Sequence, residues 1–102
     1  MLTASQLRGI LPALPTPVKA DDSVDAAAVS TLVSWLLKQG VDGIVPLGGT
    51  GEYGALSRRE RIRMARASVE AMGGRGPVIA GVLDTGFHDA LEAARNFAGE
   101  GV

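Results

Sequence analysis

No cysteine occurs in this sequence, and His88 is its single histidine. A disulfide framework and a thiolate site are therefore excluded. A zinc or di-iron centre, which draws on several Cys, His or carboxylate ligands, has almost nothing to build on, so neither a metal nor another cofactor is expected. Lysine is also scarce, with Lys19 and Lys38 the two present. The net charge is −1, which leaves no electrostatic footprint for nucleic acid. Arg58, Arg59, Arg61, Arg63 and Arg66 do cluster, but Glu60 and Ile62 interrupt them, and the run reads as the solvated face of an amphipathic helix. No apolar stretch approaches the roughly 20 residues that span a bilayer. Met1-Leu2-Thr3-Ala4-Ser5 lacks a basic region followed by an apolar one. The expectation is a cytoplasmic, unprocessed chain that meets neither membrane nor nucleic acid.

What is present is an ordinary globular composition: 46% hydrophobic and 21% charged residues over 102 positions, enough for one domain at most. Gly9-Ile10-Leu11-Pro12-Ala13-Leu14 predicts a first strand, closed by the rigid turn Pro15-Thr16-Pro17. Asp21, Asp22, Ser23 and Asp25 offer capping side chains before a helix over residues 26–39. There Val29, Leu32, Val33, Leu36 and Leu37 recur at helical spacing, and Gly40 follows as the terminating residue. Residues 43–47 predict a second strand. A Ser57-Arg58-Arg59-Glu60 capping box then opens a helix with the stripe Ile62, Ala65, Val69 and Met72, stopped by Gly73 and Gly74. Residues 77–82 predict a third strand, near-continuously apolar as befits one covered on both faces, and residues 84–98 a third helix. The order is βαβαβα, with strand starts spaced for parallel strands and right-handed crossovers. Three such units leave both sheet edges unpaired, and Glu100-Gly101-Val102 repeats the pattern Gln39-Gly40-Val41, so a fourth strand is expected next.

The most informative segment is Ile44-Val45-Pro46-Leu47-Gly48-Gly49-Thr50-Gly51-Glu52, an apolar strand that empties into a glycine-rich turn. Successive backbone amides in such a turn can form an anion nest, at the strand ends where α/β proteins keep their ligands. Gly49-x-Gly51-x-x-Gly54 also satisfies a dinucleotide fingerprint. That motif requires the helix to begin within the glycines, however, and the Ser57 cap places the helix start after Gly54. A P-loop is a weaker match still, because no Gly-Lys-Ser or Gly-Lys-Thr occurs. Glu52 is expected to accept backbone hydrogen bonds and fix the loop. Trp35 is expected to serve packing, and His88 to be a surface or capping residue.

Gly9 to Ala13 with Thr16-Pro17, then Gly40-Val41-Asp42-Gly43, Gly48-Gly49-Thr50-Gly51-Glu52, Leu56-Ser57 with Glu60-Arg61, and Pro77-Val78-Ile79-Ala80-Gly81 resemble the start of the dihydrodipicolinate synthase and N-acetylneuraminate lyase family. The resemblance covers nearly the whole chain. It implies a (β/α)8 TIM barrel, an α/β fold of which residues 1–102 hold the first three βα units as an incomplete domain. It also implies a homo-oligomeric lyase, dimer or tetramer, that binds pyruvate or a sugar-derived 2-oxo acid as a Schiff base on a lysine. On this resemblance Gly49 and Thr50 bind the substrate carboxylate through their backbone N–H groups. Thr16, Gly48, Gly51, Glu52 and Tyr53 shape the loop, Thr16 as the family's threonine beneath the site and Tyr53 at the site or, preferably, a subunit interface.

The sequence departs from the commonest family form at Gly49, where threonine or serine is usual. In the synthase that hydroxyl belongs to a proton relay, so its loss argues against straightforward dihydrodipicolinate synthesis. A Gly-Gly-Thr-Gly-Glu run followed by an aromatic looks more like members that dehydrate or cleave keto-deoxy sugar acids. No counterpart of the Schiff-base lysine is found: Lys19 follows a turn, and Lys38 sits in the last turn of a helix, where a cation suits the dipole and stays solvated. No catalytic residue is therefore assigned, and these residues alone are expected to be inactive. Two classes remain: part of a Schiff-base lyase, or a non-catalytic half-barrel that needs partner chains.

Overall fold

The computed structural model describes residues 2–102; Met1, the first residue of the N-terminal segment read above, lies outside them. Three α-helices form as the sequence periodicity requires: α1 (Ala26–Lys38), α2 (Arg58–Met72) and α3 (Phe87–Gly99). Short 3-10 turns occupy Ala4–Gln6 and Tyr53–Ala55. Before each α-helix runs an extended stretch. Parallel bridges join Ala13 to Val45 and Ile44 to Val78, so the three stretches lie side by side in chain order with the second in the middle. The βαβαβα order is borne out.

The strands are thinner than the sequence suggests, because two prolines interrupt the ladders. Around the Ala13 bridge, Val45 N donates to Pro12 O at 2.9 Å and Leu14 N to Val45 O at 3.0 Å. Around the Val78 bridge, Ile44 N donates to Pro77 O and Ile79 N to Ile44 O, both at 3.1 Å. Gly81 N then reaches Pro46 O at 3.0 Å, but the reciprocal bond would need an N–H on Pro46, and proline has none. Pro12 removes a donor from the first pair in the same way.

The helices cover one face of this sheet, and the molecule is a slab of 35 × 34 × 20 Å. The core between the two layers gathers Leu14, Val29, Val33, Ile44, Leu47, Met64, Ala65, Met72, Val78 and Phe97. Each large aliphatic side chain buried there stabilises the fold by roughly 1.5–3 kcal/mol. Asp25 caps α1, accepting from Ala28 N at 3.1 Å, and Gly40 follows the helix at φ 93°, the left-handed conformation expected of it.

Four details correct the expectations. The capping box of α2 is half-formed: Ser57 Oγ accepts from Glu60 N, but Glu60 turns away to accept from Val24 N at 2.7 Å and pairs with Arg63. The third helix starts at Phe87, three residues later than expected, behind Gly86. Trp35 is 56% exposed, because it lies two residues from Val33 and so about 200° round α1, on the side away from the sheet. The arginine run is not uniformly solvated: the side chain of Arg61 is 19% exposed, against 60% for Arg58 and 56% for Arg66. His88, as expected, is an exposed residue of the first turn of α3.

Candidate functional site: a glycine loop at the strand ends

The loop begins where the middle strand ends. Leu47 takes a left-handed φ of 64° and Glu52 one of 58°, both unusual for side-chain-bearing residues. Leu47 is fully buried, so core packing offsets a strain on the order of 1–2 kcal/mol and reverses the chain sharply at this point. Between these residues the turn closes on itself: Glu52 N donates to Gly49 O at 3.0 Å and Tyr53 N to Gly48 O at 3.4 Å. From the first strand's loop, the Thr16 hydroxyl donates to Gly51 O at 2.7 Å. Gly51 itself is buried, and a Cβ there would stand 3.0 Å from Leu47 N and 3.1 Å from Leu14 O. Glycine suits that close approach, since any Cβ would press on two backbone atoms that must give by a few tenths of an ångström.

The sequence-derived loop residues Thr16, Gly48, Gly49, Thr50, Gly51, Glu52 and Tyr53 thus come together. Gly49 and Thr50 are exposed, and among the described residues their backbone N–H groups donate to no protein group. Two free amides on a rigid turn can take a carboxylate without any charged side chain. Glu52 behaves differently from expectation. Its carboxylate is exposed and accepts no hydrogen bond among the described residues, and its part in the loop is the left-handed backbone turn. Lys19 and Lys38 are both exposed, as expected of solvated cations.

Tyr53 is 2% exposed and packed inside this chain, which corrects its expected place at a subunit interface. Its hydroxyl donates to Asp84 Oδ2 at 2.6 Å, its ring meets Phe97 edge-on, and the Arg61 guanidinium lies 4.0 Å from the ring centre. Arg61 also donates through Nε to Tyr53 O at 2.9 Å and through a terminal nitrogen to Asp84 Oδ1 at 3.1 Å. Neither Arg61 nor Asp84 was singled out from the sequence. The available signal was position: Arg61 precedes Ala65 by four residues and Met72 by eleven, which sets it on the inward stripe of α2. A cavity of about 250 Å³ borders this cluster, lined by Arg58, Arg61, Asp84, Asn96 and Phe97 among others, but residues 48–51 do not line it. The free amides therefore open elsewhere.

Burial pushes the Tyr53 phenol up to about 12, with the Asp84 carboxylate adding to the shift. The folded chain then holds this proton more tightly than the unfolded chain, whose tyrosine titrates near pH 10. The resulting stabilisation, at most ~2–3 kcal/mol, is complete below about pH 10 and is lost as pH rises toward 12. In alkaline titration, tyrosinate absorbance is expected to appear together with loss of circular dichroism, and Tyr53→Phe is expected to remove the absorbance step. Ionisation at the ordinary tyrosine pH without unfolding would contradict the buried hydrogen-bonded phenol.

Comparison with known proteins agrees with this architecture. The profile of the dihydrodipicolinate synthetase family matches residues 6–102. The 4-hydroxy-tetrahydrodipicolinate synthase of Koribacter versatilis is 42% identical over 93 residues, 91% of this chain and 31% of that protein. A prophage protein of the dihydrodipicolinic acid synthase family from E. coli K12, solved in complex with pyruvate, superposes with a TM-score of 0.89 at 31% identity over 94% of this chain and 32% of that one. A catalytic-lysine mutant of the Ruminococcus gnavus sialic acid aldolase superposes with a TM-score of 0.88 at 26% identity over 100% of this chain and 33% of that one. The chain therefore spans about a third of the length of the relatives it matches, the extent expected of three βα units of an eight-unit barrel. By sequence and by fold, it belongs to the dihydrodipicolinate synthetase family.

Proposed function

We propose that this chain supplies the carboxylate-binding loop of a cytoplasmic, homo-oligomeric lyase that holds pyruvate or a sugar-derived 2-oxo acid as a Schiff base. The observation that carries the reading is the pair of exposed, unpartnered amides of Gly49 and Thr50 on a turn closed by two backbone bonds and held from the first strand's loop by Thr16. A carboxylate accepting both would leave its keto carbon free to condense with an amine. The amine that condenses with that carbon would lie outside residues 1–102, because Lys19 and Lys38 sit in exposed loop and helix-end positions. These residues alone would bind the 2-oxo acid weakly and turn none over. The curated relatives named as 4-hydroxy-tetrahydrodipicolinate synthases support condensation as the reaction. One observation favours keto-deoxy sugar acid cleavage or dehydration instead: Gly49 brings no hydroxyl where a proton relay would need one.

Titration of the 15N-labelled chain with pyruvate is expected to shift the Gly49 and Thr50 amides in the millimolar range while leaving α1 amides in place. Shifts confined to other residues would remove the carboxylate site from this loop. Gly49→Thr restores the hydroxyl of the commoner family form and tests whether the nest tolerates it. A Cβ at Gly49 meets nothing within 4 Å and its φ is ordinary, so the variant is expected to keep stability within about 0.5 kcal/mol and to retain the shifts.

A further inference from the structure

We infer that Arg61 is a positioning residue for the amide nest, acting through the Tyr53 peptide. The inference rests on the reading of Gly49 and Thr50 as carboxylate donors. The nest has no side-chain charge of its own, so its usefulness depends on how rigidly two backbone groups are held. The last closing bond of the turn runs from Tyr53 N to Gly48 O and, at 3.4 Å, is the longer of the two closing bonds. A weak closure of that kind has to be supported from outside.

Arg61 supplies the support from the opposite side of the same residue. Its Nε holds Tyr53 O at 2.9 Å and its guanidinium covers the Tyr53 ring, while a terminal nitrogen is anchored 3.1 Å from Asp84 Oδ1. Asp84 spends its other oxygen on the Tyr53 hydroxyl at 2.6 Å. Main chain, ring and hydroxyl of one residue are thereby clamped by a single ion pair whose partners are 19% and 16% exposed. The clamp joins α2, the 3-10 turn and the segment after the third strand, so the loop is registered against two further elements. Only a planar guanidinium reaches the carbonyl and the carboxylate at once in a fixed fork; an ammonium at the same place keeps the charge but not the geometry.

The test compares the chain with its Arg61→Lys and Asp84→Asn variants, using amide hydrogen exchange at Glu52 and Tyr53 and the pyruvate titration of Gly49 and Thr50. Arg61→Lys is expected to accelerate exchange at those two amides and to weaken pyruvate about tenfold, the lower end of the effect of losing one charge-assisted hydrogen bond, while α1 exchange stays unchanged. Asp84→Asn, which keeps volume and an acceptor for the tyrosine, is expected to change both readouts in the same direction by less. Should Arg61→Lys match the parent chain in both readouts, charge alone suffices and the positioning role is overturned. If the parent chain shows no pyruvate response yet Arg61→Lys still loosens Glu52 and Tyr53, the carboxylate reading falls while the clamp on the loop stands.

Discussion

Gly81→Ala is expected to cost the fold about 3 kcal/mol and to abolish the pyruvate response of Gly49 and Thr50, although residue 81 is hydrogen-bonded to neither amide. The reason is steric. A Cβ at position 81 would stand 2.3 Å from Leu47 O, 2.8 Å from Leu47 C and 3.1 Å from Gly48 Cα. All three are backbone atoms, so no rotamer change can relieve the contact. Leu47 cannot move away either, because its side chain is fully buried and its φ of 64° already sits in the left-handed region. The strain would pass into the turn, since Gly81 N is also bonded to Pro46 O at 3.0 Å. Gly54→Ala is the matched control: a Cβ there meets nothing within 4 Å, and a change below about 0.5 kcal/mol is expected. Urea unfolding of both variants beside the parent chain reads the difference. Equal midpoints would mean that the third strand and the loop are not packed as tightly as described.

The contrast between these two glycines marks how far the sequence could be read. Helix positions followed from local rules. The apolar spacing of Val29, Val33 and Leu36 and the cap at Asp25 set α1 within one residue of expectation, because helix signals lie within a few neighbours of each other. The loop was legible for a similar reason, as glycines crowd where backbones meet. Long-range pairings were not legible. Glu60 satisfies the capping-box pattern, yet its carboxylate is drawn to Val24 N, 36 residues away in sequence, and no local pattern announces that competitor. Asp84 stood at the expected start of the third helix, with nothing local to mark it as a distant partner. Its actual partners, Tyr53 and Arg61, lie 31 and 23 residues upstream. Arg61 was hidden by its neighbours: four other arginines within nine positions made a solvated face the natural reading, and only the helical angle separates it from them.

The polypeptide of residues 1–102 is expected to self-associate increasingly as its concentration rises instead of remaining a tight monomer. Side chains alternate along an extended strand, so with Ile44 and Val78 in the core, Val45 and Ile79 point to the other face, where no helix lies. Both outer edges are also open. Among the described residues, the backbone N–H groups of Leu11 and Ala13 on one edge, and of Val78 and Ala80 on the other, donate to no protein group. Such edges and an apolar face recruit further strands, which in a complete barrel would come from the remaining units. Ile10 at 67%, Leu83 at 52% and Phe87 at 76% exposure enlarge the apolar surface left open to water. Sedimentation velocity should show the monomer fraction falling as concentration rises, and Ile79→Lys, which sets a charge on the open face without touching the helix layer, should restore monomer. A sharp two-state thermal transition at monomer mass, independent of concentration, would instead require the one-sided core of Leu14, Val33, Ile44 and Met64 to sustain three βα units by itself. In that event the unit, and not the closed barrel, would be the element of stability in this family's fold.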